Sequence, residues 1–311
     1  MDKKEIITDE VMYVYYLKVF AILLVVIGHT NTIFTKFIYS FHMPLFFFIS
    51  GYFLKVTDIS NILRRDFRKL LCPYFLFALL SIIVASVKNV VLGREHFLMH
   101  DMFLGIIYGM DLSYVKTYGF VLWFLLALFI ARAIATYLIS QMSFLKSLIL
   151  LFTLGWIVKE FKLPLCLSQG ILGGFWVALG YAYFNRIKGM IKNQYVSHGL
   201  IFLTMCLIAI QIPNVNIADL KMDNYLYYVL YNVLILFSID LFFSRFGNNY
   251  YPIITKMGKA TMFIFIVHPY TNNIGHILSK GIASITLLIS GSILLFFYCL
   301  FDTYKIKRGL T

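Results

Sequence analysis

The sequence predicts an all-α fold, a polytopic membrane helix bundle with about ten transmembrane spans and both termini in the cytoplasm. Composition is the first reason: of 311 residues, 61% are hydrophobic and only 13% are charged. Soluble domains average about 45–50% apolar and about 25% charged residues. A soluble protein of this length could not bury so much apolar surface, whereas a lipid bilayer accommodates it. The other reasons are the recurrence of apolar runs and the concentration of basic residues in the short segments between them.

A helix needs about 20 apolar residues to cross a bilayer. Runs near that length occur at residues 11–30, 40–55, 74–92, 120–139, 146–158, 168–185, 197–212, 225–243, 260–279 and 282–302. The second run contains Pro44, Ser50 and Gly51, which predict a broken or re-entrant helix that faces protein or a cavity. No repeat, linker or change in composition divides the chain, so residues 1–311 are predicted to form a single domain.

The formal net charge of +13 raises the question of nucleic-acid binding. The basic residues lie in short loops rather than along one groove or helix face, which argues against a nucleic-acid partner. With ten spans, Lys and Arg are more numerous on the side of the termini, which the positive-inside rule assigns to the cytoplasm. The cysteines lack the spacing of metal ligands or of a disulfide framework, so no metal is expected: Cys72, Cys166, Cys206 and Cys299.

The first span contains two ionisable residues, Lys18 and His29, in the stretch KVFAILLVVIGH. Eleven residues correspond to about 16 Å of helix rise, and the two side chains are about 20° apart around the helix. Both are predicted to line one stripe that faces protein or water, since ionisable groups are costly in lipid. His29 is the strongest general-base candidate because imidazole accepts a proton near neutral pH. The alternatives are a snorkelling Lys18 and a structural, interfacial His29.

Four further polar residues within apolar spans are candidates for binding or orienting a substrate. They are His42 and Ser50 in the second span, Arg132 in the fourth and His268 in the ninth. An intramembrane arginine needs a partner or a watery path, unless it snorkels to the interface. Ser50 is also a candidate nucleophile, and His268 is alternatively a histidine that only packs between helices.

A basic cluster follows the second span in the stretch NILRRDFRKLLCPYF and consists of Arg64, Arg65, Arg68 and Lys69. Arg65 and Arg68 form an R-x-x-R motif whose side chains share a face at helical spacing. Guanidinium groups bind phosphate oxygens in pairs, so the cluster is predicted to bind a polyanionic cofactor. An interfacial amphipathic helix held by anionic lipid is the alternative, and the two roles are compatible.

The order of these motifs resembles the acyltransferase 3 family of membrane proteins. The resemblance rests on K-x10-H, SFHMPLFFFISGYF, R-x-x-R followed by PY, LWFLLALF, and a late histidine in an apolar span. FHMPLFFFISGY is most similar to the fucose O-acetylase-like branch, whose members modify surface polysaccharides. The resemblance implies that His29 is the catalytic histidine, Lys18 its basic partner, and Arg65 and Arg68 the cytoplasmic R-x-x-R. The basic partner is more usually arginine, so a role that needs a bidentate fork is in doubt for Lys18.

The resemblance also implies an activity and a location. An acyl donor, usually acetyl-CoA, would reach the enzyme from the cytoplasm, and a hydroxyl of a cell-surface or lipid-linked carbohydrate would accept the acyl group outside. The lipid bilayer would be the bacterial plasma membrane. The basic cluster would hold the phosphates of acyl-CoA, and the pantetheine arm would run beside the stripe of Lys18 and His29. A succinyl donor and the identity of the acceptor sugar stay open.

The expected chemistry begins with removal of the hydroxyl proton by His29. Direct attack on the thioester is favoured because the sequence has no G-x-S-x-G elbow, and Ser50 is the alternative nucleophile. His42 or His268 would orient His29 or the acceptor. The rival hypothesis is an exporter of polysaccharide or lipid-linked sugar, but the internal repeats typical of transporters are absent from the sequence. A membrane sensor or scaffold does not explain why Lys18 and His29 share one stripe.

Overall fold

The protein is almost entirely helical. The computed structural model describes four stretches of the chain, residues 9–56, 59–191, 193–246 and 251–307. Within these stretches the only strands are β1 (Val215–Asn216) and β2 (Lys221–Met222), which pair antiparallel with Val215 opposite Met222. The prediction of an all-α membrane helix bundle is confirmed.

The first half of the chain forms α1 (Asp9–Gly28), α2 (Thr35–Tyr52), α3 (Ile59–Asp66), a π-helical turn (Phe67–Leu71), α4 (Cys72–Val91), α5 (Met99–Ile107), a 3₁₀ turn (Tyr118–Leu122) and α6 (Trp123–Gln141). The second half forms α7 (Phe144–Val158), a 3₁₀ turn (Pro164–Cys166), α8 (Leu167–Ala182), a second π-helical turn (Tyr183–Ile187), α9 (Lys188–Ile191), α10 (Gln194–Ile210), α11 (Tyr225–Phe246), α12 (Pro252–Lys259), α13 (Thr261–Leu278) and α14 (Ala283–Lys307).

Each of the ten predicted apolar runs overlaps a helix, namely α1, α2, α4, α6, α7, α8, α10, α11, α13 or α14. Within the part of the chain that the structure describes, four helical stretches are long and apolar enough to cross a membrane, namely Ile59–Val91, Tyr118–Gln141, Pro164–Ile191 and Tyr225–Arg245. Helices α1, α7, α10 and α14 contain shorter apolar stretches. The bundle is therefore that of a multi-pass membrane protein, while the number of ten spans stays a prediction.

The expectation of a broken second span is wrong, because α2 is helical from Thr35 to Tyr52 across Pro44. Proline has no N–H, so the carbonyl of Ser40, four residues earlier, loses its partner within the helix. The side-chain amide of Asn232 on α11 donates to that carbonyl at 2.9 Å. The helix continues because another helix supplies the missing donor.

One face of α4 shows the surface expected in contact with lipid. Leu76, Leu79, Ile83 and Val87 recur every three or four residues, and each side chain is about half exposed, at 48–58%. On the opposite face, Tyr74 is fully buried, and its hydroxyl donates to the carbonyl of Ile106 at the end of α5. An apolar stripe of this kind is stable in hydrocarbon and unfavourable in water.

The helices group into two compact units. One unit consists of the described residues within Met1–Ile38 and Phe242–Thr311, and the other of those within Tyr39–Leu241. The first, here called the terminal unit, contains α1, α12, α13 and α14. The second, here called the central unit, contains α3 to α10 and most of α2 and α11. The prediction of a single domain stays a prediction.

The central unit is built around α8, which is buried on all sides for most of its length. Its glycines allow neighbouring helices to approach closely, as is usual between membrane helices. A Cβ atom on Gly180 would overlap the backbone carbonyl of Phe48 on α2, and one on Gly51 would overlap the backbone of α8 at Val177. Backbone contact between α2 and α8 therefore explains the glycine at position 51 of the second span.

Candidate active site

His29 lies in the terminal unit at the point where α1 ends. Its backbone amide still donates to the carbonyl of Val25 at 3.2 Å, so helical hydrogen bonding extends to this residue. The chain then turns, and Asn31 adopts a left-handed conformation with φ of 52°. The His29 side chain is half-buried. The end of a helix therefore fixes the backbone of the predicted catalytic histidine.

His268 of α13 lies beside His29, with ring centroids 5.2 Å apart and an angle of 37° between the ring planes. The His268 side chain is completely buried. The structure thus brings together two histidines that are 239 positions apart in the sequence. Both residues are ionisable groups within apolar spans, but only the structure shows that they form a pair.

The Pro269 that follows His268 explains the orientation of its ring. Pro269 cannot donate to the carbonyl of Phe265, and Nδ1 of His268 lies 2.7 Å from that carbonyl oxygen. A carbonyl only accepts hydrogen bonds, so Nδ1 carries the proton in this contact. In neutral His268 the other nitrogen, Nε2, is then an acceptor. The proline therefore selects the tautomer of the histidine beside it.

A polar network anchors the end of α1 to α13 and α14. The side-chain amide of Asn272 on α13 donates to the carbonyl of Val26 at 3.0 Å. That carbonyl is among the last four of α1, which have no intrahelical partner as a rule. Ser290 of α14 donates to Oδ1 of Asn272 at 2.5 Å, and its hydroxyl oxygen lies 3.0 Å from that of Thr271. Asn272 is thus a buried positioning residue for the helix end that carries His29.

Lys18 lies on the same helix as His29, as predicted, but it cannot act on the same atom. The two positions are about 16 Å apart along α1, which exceeds the reach of a lysine side chain. Lys18 is half-buried, and its ammonium lies 5.5 Å from the centre of the Tyr15 ring. A catalytic role for Lys18 stays a prediction, and any such role would involve a more distant part of a substrate.

The basic cluster lies in the central unit, where the chain passes from α3 into a π-helical turn. Arg64, Arg68 and Lys69 are exposed, and within the described residues none of the three forms an ion pair. Arg65 is half-buried and donates from Nε to Asp66 at 3.2 Å. Exposed guanidinium and ammonium groups without acidic partners fit the phosphates of an acyl-CoA. The binding of acyl-CoA itself stays a prediction.

Asp66, which was not among the predicted site residues, is the buried partner of Arg132. Nε of Arg132 lies 2.6 Å from Oδ2 of Asp66, and both side chains are almost fully buried. A terminal nitrogen of Arg132 donates to the carbonyl of Ser50 at 2.9 Å. Arg132 therefore faces protein rather than snorkelling to the interface, and two of its nitrogens are already engaged. Substrate contact by Arg132 stays a prediction.

A pattern in the sequence could have identified Asp66. Ile62, Asp66 and Leu70 are spaced by four residues, and all three are buried. An acidic residue on the apolar face of a basic amphipathic helix indicates a cationic partner inside the protein. The partner is 66 positions away, which explains why spacing along one helix did not identify it.

Ser50 and His42 lie in the central unit, on α2. The hydroxyl of Ser50 donates to the carbonyl of Phe47 at 2.7 Å, one turn earlier in its own helix. His42 is buried, with its ring 5.1 Å from the ring of Tyr39. Roles for Ser50 as a nucleophile and for His42 in orienting a substrate stay predictions. Within the described residues, no three His, Cys, Asp or Glu side chains come together as a metal site.

The comparisons with known proteins concern the whole chain rather than single residues. The family model for an acyltransferase domain, Acyl_transf_3, matches residues 12–301. No curated protein and no solved structure matches the chain. The fucose O-acetylase-like branch stays a prediction. Because the match covers nearly the full length of a multi-pass helix bundle, the chain belongs to the acyltransferase 3 family and is a membrane acyltransferase.

Proposed function

We propose that the protein transfers an acyl group from acyl-CoA to a hydroxyl of a cell-surface or lipid-linked carbohydrate. The observation that supports this most is the pair formed by His29 and His268. One imidazole is held at the end of a helix, and the second lies beside it with its tautomer fixed by a carbonyl. A base oriented by a further polar group is the usual arrangement for activating a hydroxyl.

The proposed reaction needs one proton to move twice. His29 takes the proton of the acceptor hydroxyl as the oxygen attacks the thioester carbonyl. The new C–O bond forms, the C–S bond breaks, and the proton on His29 passes to the departing thiolate, which leaves as CoA thiol. His268 contributes by accepting a hydrogen bond from the protonated ring of His29, so it stabilises the imidazolium while that charge exists.

Transfer without an acyl-enzyme is the simpler form of this proposal. Ser50 is the candidate nucleophile of the second span, but its hydroxyl is bonded within its own helix and its carbonyl is held by Arg132. The terminal unit offers the histidine pair instead. The attacking group is therefore proposed to be the acceptor hydroxyl.

The basic cluster is proposed to bind the phosphates of the donor. Arg64, Arg68 and Lys69 are exposed, so a phosphate can approach them without breaking an existing ion pair. Acetyl is the proposed acyl group and succinyl the alternative, since both are attached to the same CoA. The proposed location is the plasma membrane of a bacterium, with the cluster in the cytoplasm according to the positive-inside rule.

The test is the transfer of radioactive acetyl from acetyl-CoA into carbohydrate, in membranes that contain the protein and in matched membranes that lack it. The proposal predicts label in the carbohydrate fraction only when the protein is present, with release of one CoA thiol for each acetyl group transferred. Labelled succinyl-CoA in a parallel sample identifies the preferred donor. If carbohydrate crosses the membrane without consumption of either donor, the exporter hypothesis replaces this proposal.

A further inference from the structure

A cavity of about 860 Å³ lies in the central unit, and no residue of the basic cluster lines it. It is bordered by the C-terminal end of α4 and by the segments before and after α5. Its volume is in the upper part of the range of ligand-binding cavities, about 300–1,000 Å³. Five polar residues of its lining are Lys88, Asn89, Arg94, Lys116 and Tyr118.

Several contacts hold the walls of this cavity in place. The ammonium of Lys88 lies 3.3 Å from the hydroxyl of Tyr118 and 5.2 Å from the centre of its ring. The side-chain amide of Asn89 donates to the carbonyl of Glu95 at 3.1 Å and so fixes the loop after α4. Thr117 is buried and accepts from the amide of Gly119 at 3.1 Å. The cavity is thus formed by structured segments with their own hydrogen bonds.

The charge in the cavity is mainly positive. Lys88, Arg94 and Lys116 line it, together with a single acidic residue, Glu95. Arg94 and Lys116 are exposed, and within the part of the chain that the structure describes neither forms an ion pair. Cationic groups that converge on one cavity and lack acidic partners favour an anionic ligand.

The cavity and the basic cluster lie at opposite ends of one continuous helical stretch. Ile59–Val91 contains α3, the π-helical turn and α4. Arg68 and Lys88 are separated by about 30 Å along it, which is the thickness of the hydrocarbon core of a bilayer. If the basic cluster meets the donor at one membrane face, the cavity opens at the other face.

We propose that this cavity binds the acceptor, and that the acceptor is a saccharide with an anionic group, a carboxylate or a phosphate. The inference rests on the proposed function, because it takes the ligand at the face opposite the donor to be the acceptor. Arg94 and Lys116 bind the anionic group. Asn89 and Tyr118 supply amide and hydroxyl groups of the kind that bind sugar hydroxyls, and the tyrosine ring offers a flat apolar surface.

An anionic lipid headgroup has the same charge and is the other source of such a ligand. The cavity favours the saccharide because amide, hydroxyl and aromatic groups accompany its cations. A lipid headgroup requires mainly the positive charge and makes no use of the amide, hydroxyl and aromatic groups. The experiment therefore compares both ligands.

The test is calorimetric binding to the purified full-length protein in phosphatidylcholine nanodiscs. Two matched pairs of probes are used: hyaluronan tetrasaccharide with the neutral tetra-N-acetylchitotetraose, and maltose 1-phosphate with maltose. The variant is Arg94→Gln with Lys116→Gln, and the control is Lys221→Gln, an exposed lysine of β2 outside the cavity. The native protein and the control should bind at least one acidic probe about tenfold more tightly than its neutral partner, as expected for bonds to charged groups. The double variant should lose that preference.

The inference is overturned if the native protein has no preference for either acidic probe, or if the double variant keeps it. It is also overturned if the double substitution weakens only the binding of phosphatidylglycerol, which would identify a lipid site. An acetyl-transfer assay on the same samples separates this inference from the proposed function. If the native protein and the double variant both acetylate neutral and acidic acceptors equally, the assignment of the cavity as the acceptor site is wrong and the proposed function stands. If the native protein binds an acidic probe preferentially but transfers no acetyl group, the proposed function is wrong and the cavity is still a saccharide-binding site.

Discussion

Asn272 connects the position of His29 to the rest of the terminal unit. Its side chain bonds the carbonyl of Val26, three residues before His29, and is itself held by Ser290. The sequence indicated His29 and His268 because ionisable residues are rare in apolar spans. It did not indicate Asn272, because the side chain of this residue, in the stretch TNN, is an uncharged amide. Its role depends on a contact with a helix 246 positions earlier.

Asn272→Ala should lower kcat for acyl transfer by about tenfold to a hundredfold, because a shift of about 1 Å in a catalytic group can have that effect. The KM for acyl-CoA should change little, since the substitution removes no proposed donor contact. Asn273→Ala is the matched control, because that neighbour is only half-buried. Steady-state kinetics of both variants give kcat and the KM for acyl-CoA. Equal kcat values for the two would exclude a positioning role for Asn272.

Asp66 and Arg132 form a second pair of residues whose relation was hidden in the sequence. Loss of one member leaves a buried charge without its partner, so Asp66→Ala should lower the free energy of unfolding by about 3–5 kcal/mol. The combined change Asp66→Leu with Arg132→Met should be less destabilising than Asp66→Ala, since it removes both charges. Thermal unfolding in detergent measures each variant. If the double variant were less stable than the single one, the pair would contribute more to stability than the compensation of one buried charge by the other.

Helices α2 and α13 each contain an internal proline, and in both a side chain bonds the carbonyl that the proline leaves without a donor. The carbonyl that Pro44 leaves without a backbone donor is bonded by Asn232, and the one that Pro269 leaves is bonded by His268. The sequence placed both prolines in apolar spans, but the break that it predicted in the second span does not occur. The continuity of α2 depends on a side chain from α11, nearly 200 positions away.

The close contact between α2 and α8 leaves no room for a side chain at Gly180. A leucine there would overlap the backbone carbonyl of Phe48, which cannot move without displacing α2. Gly180→Leu should therefore destabilise the protein by about 3 kcal/mol or prevent its accumulation in the membrane. Gly199→Leu on α10 is the control, because a Cβ atom at that position meets open space. Membrane levels and melting temperatures close to native for both variants would contradict this packing.

At the scale of the whole molecule, hydropathy located the helices well. Every predicted apolar run overlaps a helix, because burial in lipid depends on composition and length alone. The contacts between helices were not predictable in the same way, because they depend on side chains that are distant in sequence, such as Asp66 with Arg132. The segment before α6, which lies between two of the predicted spans, contains the helix α5 and borders the cavity.

The central claim is that His29 removes the proton in acyl transfer. The most direct measurement is the rate of acetyl transfer from labelled acetyl-CoA by purified His29→Ala, with His276→Ala as control. His276 is an exposed histidine of α13. The account predicts that His29→Ala loses about 10²–10⁴-fold in rate, the usual contribution of a general base, while its melting temperature and the rate of the control stay near native. A stably folded His29→Ala protein with the native rate would contradict the account.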